Sequence, residues 1–106
     1  MTKEFLILTV YVPTRDAEHL KKALFEAGAG ELGSYSHCCW QVEGVGQFRP
    51  MTGANPAVGQ IGKLEKLEEL RIECVVELAK QQSVRDALRK NHPYEEPAYY
   101  FVKATA

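Results

Sequence analysis

Residues 90–101 hold a histidine, two adjacent glutamates, two prolines and three tyrosines. Imidazole and carboxylate groups are common ligands of divalent metals, so His92 is a candidate metal ligand with a glutamate beside it. Neighbouring side chains point apart in an extended chain, and Glu95 and Glu96 therefore do not readily share one ion. In the alternative interpretation the two prolines stiffen a turn, and Tyr94 packs as its anchor.

A second candidate for chemistry is the pair His37 and Cys39, two residues apart in a segment that we predict to be a strand. Alternate residues of a strand share one face, which permits both side chains to reach one ion. We therefore take His37, Cys39 and His92 as the candidate ligands of a divalent metal, which is the cofactor hypothesis for this chain. The same pair has the geometry for a nucleophilic cysteine with a histidine base, but no orienting acid or oxyanion-binding element is recognisable. We accordingly predict that the chain by itself is not an enzyme.

The segment from residue 44 to residue 65 is rich in glycine and proline and has no helix or strand periodicity. So long a connection within a small domain is usually functional or disordered, and its apolar residues favour an ordered loop. Arg49 can hold a carboxylate or a phosphate with its planar guanidinium, beside exposed backbone amides. The alternative is a salt bridge from Arg49 to Glu65 or Glu68. The candidate ligand-binding residues are Phe48, Arg49, Pro50, Gly53, Asn55, Gly59, Gly62, His92, Tyr94 and Glu95.

The periodicity of apolar residues predicts the six elements that position these candidates. Thr14 and Ser83 are suitable N-caps for two amphipathic helices, Gly28 ends the first helix, and the second must end before Pro93. The predicted strands are Glu4 to Val12, Ser34 to Glu43, Glu68 to Glu77 and Ala98 to Lys103. The order strand, helix, strand, strand, helix, strand predicts an α+β ferredoxin-like sandwich, an antiparallel sheet with both helices on one face.

The alternation within the predicted strands assigns side chains to the two faces of the sheet. Trp40 is placed inward together with Cys38, so its fluorescence emission should be blue-shifted in the native protein. An exposed apolar face is typical of an interface, and we therefore predict a homo-oligomer. The alternative is that the loop of residues 44–65 folds over this face. The residues predicted on the face without helices are Phe5, Ile7, Tyr11, Tyr99 and Phe101.

The composition limits the class of protein and its partners. The chain has 106 residues, of which 45% are hydrophobic and 25% charged, and these values fit one globular domain over residues 1–106. The formal net charge of -1 provides no field that attracts nucleic acid or an anionic membrane, and no apolar run is long enough for a membrane span. The three cysteines have no paired spacing, which favours reduced thiols in a cytoplasmic protein.

Three motifs make the chain similar to a known family. They are GAGELGSYSHCCW from Gly28, GQFRPMTGANPAVGQIGKLEKLEELRIE from Gly46 and HPYEEPAYY from His92, and with the order of elements they cover nearly the whole chain. The chain resembles the PII-like, CutA-like domain that is inserted in many bacterial Nif-three-like (NGG-one-interacting-factor-like, YqfO-type) proteins and that also occurs alone as a small protein. In the last motif the family usually has aspartate where this chain has Tyr100, so no role of a carboxylate is carried over to that position.

The resemblance implies a trimer, because PII-like domains commonly assemble through their sheets. It also implies that the loop around Arg49 and the turn from His92 to Glu96 edge a pocket between subunits. The dinuclear metal site of the full-length relatives lies in a flanking domain whose metal-binding motif has no counterpart in this sequence. The hydrolase-like chemistry that the metal site would support is therefore not expected of this chain. A GTP cyclohydrolase label does not transfer to it either.

From these observations we predict a small, stand-alone trimeric module. It binds either a small ligand, with anionic ligands among the candidates, or a protein partner. The alternative is a divalent metal-binding protein that uses His37, Cys39, His92 and nearby glutamates.

Overall fold

A computed structural model describes residues 4–106, and the first three residues of the predicted domain lie outside the described part. The strands are β1 (Glu4–Pro13), β2 (Trp40–Phe48), β3 (Glu65–Val76) and β4 (Tyr99–Thr105), and the helices are α1 (Ala17–Glu26) and α2 (Gln81–Asn91). The strands form one antiparallel sheet in the order β2-β3-β1-β4, with both helices on one face. The predicted ferredoxin-like sandwich is confirmed. No helix among the described residues is long and apolar enough to cross a membrane.

The hydrophobic core lies between the two helices and one face of the sheet. Leu8 and Val10 of β1 are fully buried and stand opposite Cys74 and Ile72 of β3. Each fully buried aliphatic side chain contributes about 1.5–3 kcal/mol to the free energy of unfolding. The alternation predicted for β3 is therefore confirmed, because one of its faces packs into this core. The buried residues are Leu6, Leu8, Val10, Val12, Ala17, Leu20, Leu24, Ala29, Leu70, Ile72, Cys74, Val76, Val84 and Leu88.

Both helices begin at residues other than the predicted ones. Thr14 begins a short 3-10 turn, and α1 begins only at Ala17, after Asp16, whose side chain makes no capping hydrogen bond. Ser83 lies inside α2, and its hydroxyl donates to the carbonyl of Ala27 just after α1. A hydrogen bond between the two helices thus uses the hydroxyl that sequence spacing assigns to a cap.

β2 lies further along the chain than the predicted strand from residue 34 to residue 43. The segment before it makes a tight turn in which Leu32 and Tyr35 each donate a backbone N–H to the other's carbonyl. After this turn Cys39 packs against the core, whereas Trp40 lies on the opposite face and is 59% exposed. The prediction of an inward Trp40 is wrong, because a shift of one residue moves every side chain of a strand to the other face. The loop between β2 and β3 accordingly comprises residues 49–64 rather than 44–65, and we call it the hairpin loop.

The sheet face away from the helices, which we call the open face, carries apolar residues. The β1 residues predicted there are confirmed. Tyr99 and Phe101 were predicted there wrongly, because the pairing of β4 with β1 turns them toward the core, where they pack. Tyr100 and Val102 lie on the open face instead and are 60% and 59% exposed. The large apolar residues of the open face are Phe5, Ile7, Tyr11, Trp40, Val42, Tyr100 and Val102.

The hairpin of β2 and β3 projects beyond the rest of the sheet. β3 pairs with β1 only from Glu69 onward, whereas residues 65–68 pair with β2 alone. The molecule is correspondingly elongated, at 51 × 24 × 21 Å. The segment between α2 and β4, residues 92–98, passes the end of β1, where the N–H of Tyr11 donates to the carbonyl of Ala98. The hairpin loop and this segment, which we call the 92–98 turn, therefore meet at one end of the sheet.

Candidate ligand-binding site

His92 is a buried residue that fixes the 92–98 turn to β1. Its Nε2 lies 2.7 Å from the carbonyl oxygen of Tyr11, and its Nδ1 accepts the backbone N–H of Tyr94 at 3.1 Å. Accepting at Nδ1 requires the neutral tautomer with a proton on Nε2, and burial lowers the pKa of this imidazole. Both ring nitrogens are therefore used within the protein. The alternative interpretation of this stretch as a structural turn fits His92.

The structure does not bring the three predicted metal ligands together. The ring of His37 packs at a tilt of 50° against that of Phe25, with the ring centroids 4.9 Å apart, and its Nδ1 lies 2.9 Å from the hydroxyl of Ser36. Cys39 packs against the core just before β2, whereas His92 binds the far end of β1. Within residues 4–106, no three histidine, cysteine, aspartate or glutamate side chains are grouped closely enough to hold a metal ion.

Tyr94 is the anchor of the candidate site. Its hydroxyl donates to Oε2 of Glu69 at 2.7 Å, and its ring meets that of Phe48 edge-on at 5.7 Å. Burial raises the pKa of the Tyr94 hydroxyl, and the hydrogen bond to the charged Glu69 adds to this effect, so the phenol stays protonated. A Cβ atom at Gly46 would overlap the carboxyl group of Glu69. Glycine at this position therefore lets the carboxylate lie across the strand pair.

The hairpin loop is held to the 92–98 turn and to itself by hydrogen bonds. The backbone N–H of Asn55 donates to Oε1 of Glu95 at 3.1 Å, which links the loop directly to the turn. Within the loop, the N–H of Gly62 donates to the carbonyl of Pro50 at 2.7 Å. Gly62 has a positive φ of 79°, a conformation that glycine adopts without strain. Several predicted ligand-binding glycines thus have a conformational role in the turns of the loop.

A cavity of about 350 Å³ lies between the hairpin loop and the 92–98 turn. Five of the predicted ligand-binding residues line it, namely Phe48, Arg49, Pro50, Tyr94 and Glu95. The other five are not among its lining residues, namely Gly53, Asn55, Gly59, Gly62 and His92. The lining residues outside that candidate list are Tyr11, Gln47, Met51, Ala54, Pro56, Ala57, Val58, Glu69, Ala98 and Glu96, of which Glu96 was expected only as the end of the turn.

Some of the missed residues carried a usable signal. The alternation of β3 places Glu69 on the face opposite its buried residues, and the pairing of the strands puts Tyr11 on that same face. With the pairing register of β1 and β3, both residues are assigned to one end of the open face. The apolar loop residues gave no such signal, because their positions depend on the path of the loop.

Arg49 is exposed at the cavity. In the part of the chain that the structure describes, no carboxylate lies within salt-bridge distance of its guanidinium. The salt bridge to Glu65 or Glu68, which was the alternative for this residue, is therefore not formed. Its charge remains available at the edge of a cavity whose walls are mainly apolar.

The chain is similar to proteins that are much longer. Over 90 residues it is 48% identical to the "GTP cyclohydrolase 1 type 2 homolog" of Mycobacterium tuberculosis, an alignment that covers 85% of this chain and 24% of the relative. It matches the structure of a Bacillus cereus protein related to NIF3 with a TM-score of 0.82 and 40% identity, over 98% of this chain and 26% of that one. The chain thus spans about a quarter of the length of these relatives. No protein-family model matches it.

A likeness at lower identity concerns the fold alone. The structure of CutA from Synechococcus elongatus PCC 7942 superimposes with a TM-score of 0.69 and 17% identity, covering 100% of this chain and 85% of CutA. CutA therefore has the same arrangement of strands and helices over most of its length. Together with the longer relatives, this likeness confirms the resemblance based on the sequence motifs: the chain has a CutA-like fold and is related to one segment of the NIF3-like proteins.

Proposed function

We propose that this chain is a binding module whose cavity takes a small ligand with an anionic group held by Arg49. The observation that carries the proposal is the cavity itself, bounded by two ordered segments and lined by Phe48, Arg49 and Tyr94. Its volume of about 350 Å³ falls within the range of pockets that enclose small molecules. Two hydrogen bonds, from Tyr94 to Glu69 and from Asn55 to Glu95, stabilise its walls before any ligand arrives.

Thermal melting of the metal-stripped protein tests this proposal with a panel of nucleotides, small carboxylates and divalent ions. A ligand that binds only the native state, at about 100 times its dissociation constant, adds about 2.7 kcal/mol to the free energy of unfolding and raises the melting temperature by several degrees. We expect a shift with an anion, and we expect the variant Arg49→Gln to lose it. Lys22→Gln on α1 is the matched control, since Lys22 is exposed and does not line the cavity. A shift that survives in Arg49→Gln would contradict the assignment of Arg49.

We propose binding rather than catalysis for the chain by itself. The relatives named as GTP cyclohydrolase homologs are about four times as long as this chain, so an activity implied by their name is not assigned to the matched quarter. Burial raises the pKa of Cys74 to about 12, which makes this thiol a poor nucleophile at neutral pH. The ring of His37 pairs with Ser36, its neighbour in the chain. Turnover of GTP by this chain alone, abolished by Cys39→Ser, would contradict the proposal.

We further propose that the chain assembles as a homotrimer through its open face. The support is the exposure there of Trp40, Tyr100 and Val102, since large exposed apolar surfaces mark interaction sites. The three free thiols fit a reducing compartment, and we propose the cytoplasm. Light scattering after size exclusion measures the stoichiometry. We expect three copies for the natural chain and one copy for Val102→Glu. A monomeric natural chain at all concentrations would leave the open face for a different protein partner.

The fluorescence of Trp40 gives an independent test of this assembly. It is the single tryptophan of the chain and lies on the open face, so its emission reports the environment of that face. We expect an emission maximum near that of tryptophan in water for the dilute monomer, and a blue shift as the concentration rises. Emission that does not change while light scattering reports association would place the contact elsewhere.

A further inference from the structure

The charges around the cavity narrow the chemistry of its ligand. Building on the proposed binding function, we infer that the ligand is a zwitterion with an apolar body, an apolar α-amino acid being the class. Its carboxylate binds Arg49, its ammonium group lies among Glu69, Glu95 and Glu96, and its side chain contacts the aromatic wall.

The balance of charge disfavours a polyanion. Three carboxylates and one guanidinium line the cavity, an excess of two negative charges. A nucleotide or polyphosphate would bring several more negative charges to this place, and like charges a few ångströms apart repel strongly near a protein surface. A ligand with one negative and one positive group is attracted to both kinds of side chain. The same lining thus favours a zwitterion over an anion alone.

The carboxylates retain capacity to accept hydrogen bonds from an ammonium group. Glu69 uses Oε2 for the hydroxyl of Tyr94, and Glu95 uses Oε1 for the backbone N–H of Asn55. The side chain of Glu96 takes part in none of the salt bridges or side-chain hydrogen bonds among residues 4–106, and it is exposed at the cavity. An ionised carboxylate has about four lone-pair sites, so each of the three can accept further N–H donors. An ammonium group supplies three such donors.

The apolar part of the lining favours a ligand with an apolar side chain. The rings of Phe48 and Tyr94 meet edge-on at 5.7 Å, and Met51, Pro56 and Val58 line the same cavity. Covering this surface with an aliphatic or aromatic side chain removes apolar area from water, which is favourable. A cation close to the aromatic rings also interacts with their π-electrons. Glycine or free ammonia would leave these walls uncovered.

Isothermal titration with three related compounds tests the inference. L-phenylalanine carries both charged groups, 3-phenylpropionate lacks the ammonium group, and phenethylamine lacks the carboxylate. Since a hydrogen bond to a charged group contributes about 1.5–3 kcal/mol, we expect each of the two truncated compounds to bind about tenfold more weakly than phenylalanine, or weaker still.

Two variants assign the charged groups of the ligand to the protein. Arg49→Gln should weaken the binding of phenylalanine and 3-phenylpropionate but not the binding of phenethylamine, which has no carboxylate. Glu96→Gln should weaken the binding of phenylalanine and phenethylamine but not the binding of 3-phenylpropionate. Lys22→Gln should change none of the three affinities, because this residue does not line the cavity.

The outcomes separate the ligand class from the binding function. Equal affinity of 3-phenylpropionate and phenylalanine would overturn the zwitterion and leave an anion site. A melting shift with nucleotides, but none with phenylalanine or leucine, would also overturn the inference while binding at the cavity stands. No binding by any of these compounds or by the anions of the panel would overturn the proposed function as well.

Discussion

The two ends of the molecule carry similar side chains in different arrangements. At the end with the cavity, His92 contacts a residue 81 positions away, and the bonds of Tyr94 and Glu95 span 25 and 40 positions. At the other end, His37 makes its side-chain hydrogen bond with the adjacent Ser36. Histidine and nearby polar residues therefore form a site where contacts between distant elements converge. His37 and Cys39 are close in sequence, but this closeness alone does not form a site.

The largest loss of stability should come from replacing His92, and replacing His37 is the matched comparison at the other end. His92→Ala should lower the free energy of unfolding by about 2–4 kcal/mol, because it leaves the N–H of Tyr94 and the carbonyl of Tyr11 without partners beside a new void. His37→Ala should change it by less than about 0.5 kcal/mol, since that residue is exposed. Urea denaturation measures both. Equal losses would remove the distinction between the two ends.

A smaller effect is expected from adding one methyl group to β2. Gly46→Ala should cost about 1–2 kcal/mol of unfolding free energy, because the new Cβ displaces the carboxylate of Glu69 from its bond with Tyr94. Gly44→Ala is the matched control on the same strand, since no atom lies within 4 Å of its added Cβ. Comparison of the two denaturation curves is the measurement. A similar stability in both variants would show that Glu69 moves freely.

The bond between the hairpin loop and the 92–98 turn should have a local effect. Glu95→Ala should cost about 0.5–1.5 kcal/mol, because the N–H of Asn55 loses its acceptor, and should speed the hydrogen exchange of that amide. Glu96→Ala is the control, as this side chain makes no hydrogen bond within the described residues. Unchanged exchange at Asn55 in Glu95→Ala would contradict the proposed link.

The protonation of His92 should give the smallest change in the free energy of unfolding, and this change develops gradually with pH. Burial lowers its pKa in the folded protein below the ordinary 6.5, against the opposing effect of its bond to Tyr11. Below pH 6.5 the unfolded chain binds a proton at this residue that the folded chain does not, so the free energy of unfolding falls as the pH falls through this window. The contribution is fully present above pH 6.5. Denaturation midpoints between pH 5 and pH 8 measure it, and a slope that persists in His92→Gln would assign it to another group.

Part of the site was predictable because it depends on local sequence. The apolar residues spaced among glycines in residues 44–65 predicted an ordered loop with turns, and the backbone hydrogen bonds within residues 49–64 agree with this prediction. The prolines around Tyr94 indicated a stiff turn with an aromatic anchor. The lining of the cavity by Glu69 and Met51 was not predicted, because it requires the path of the loop over the sheet.

The sequence by itself determined the order of the elements and the inward face of β3. In that strand Leu70 and Ile72 alternate with charged residues, so a single phase buries the apolar side chains. Only the tertiary structure decided which alternate residues of β2 and β4 face the core. Apolar residues follow one another in β4, as in Phe101 and Val102, and at the start of β2, where Cys39 precedes Trp40, so either assignment of faces buries some of them. Pairing with the central strands selects one phase, because it fixes the register of the backbone hydrogen bonds over the whole strand.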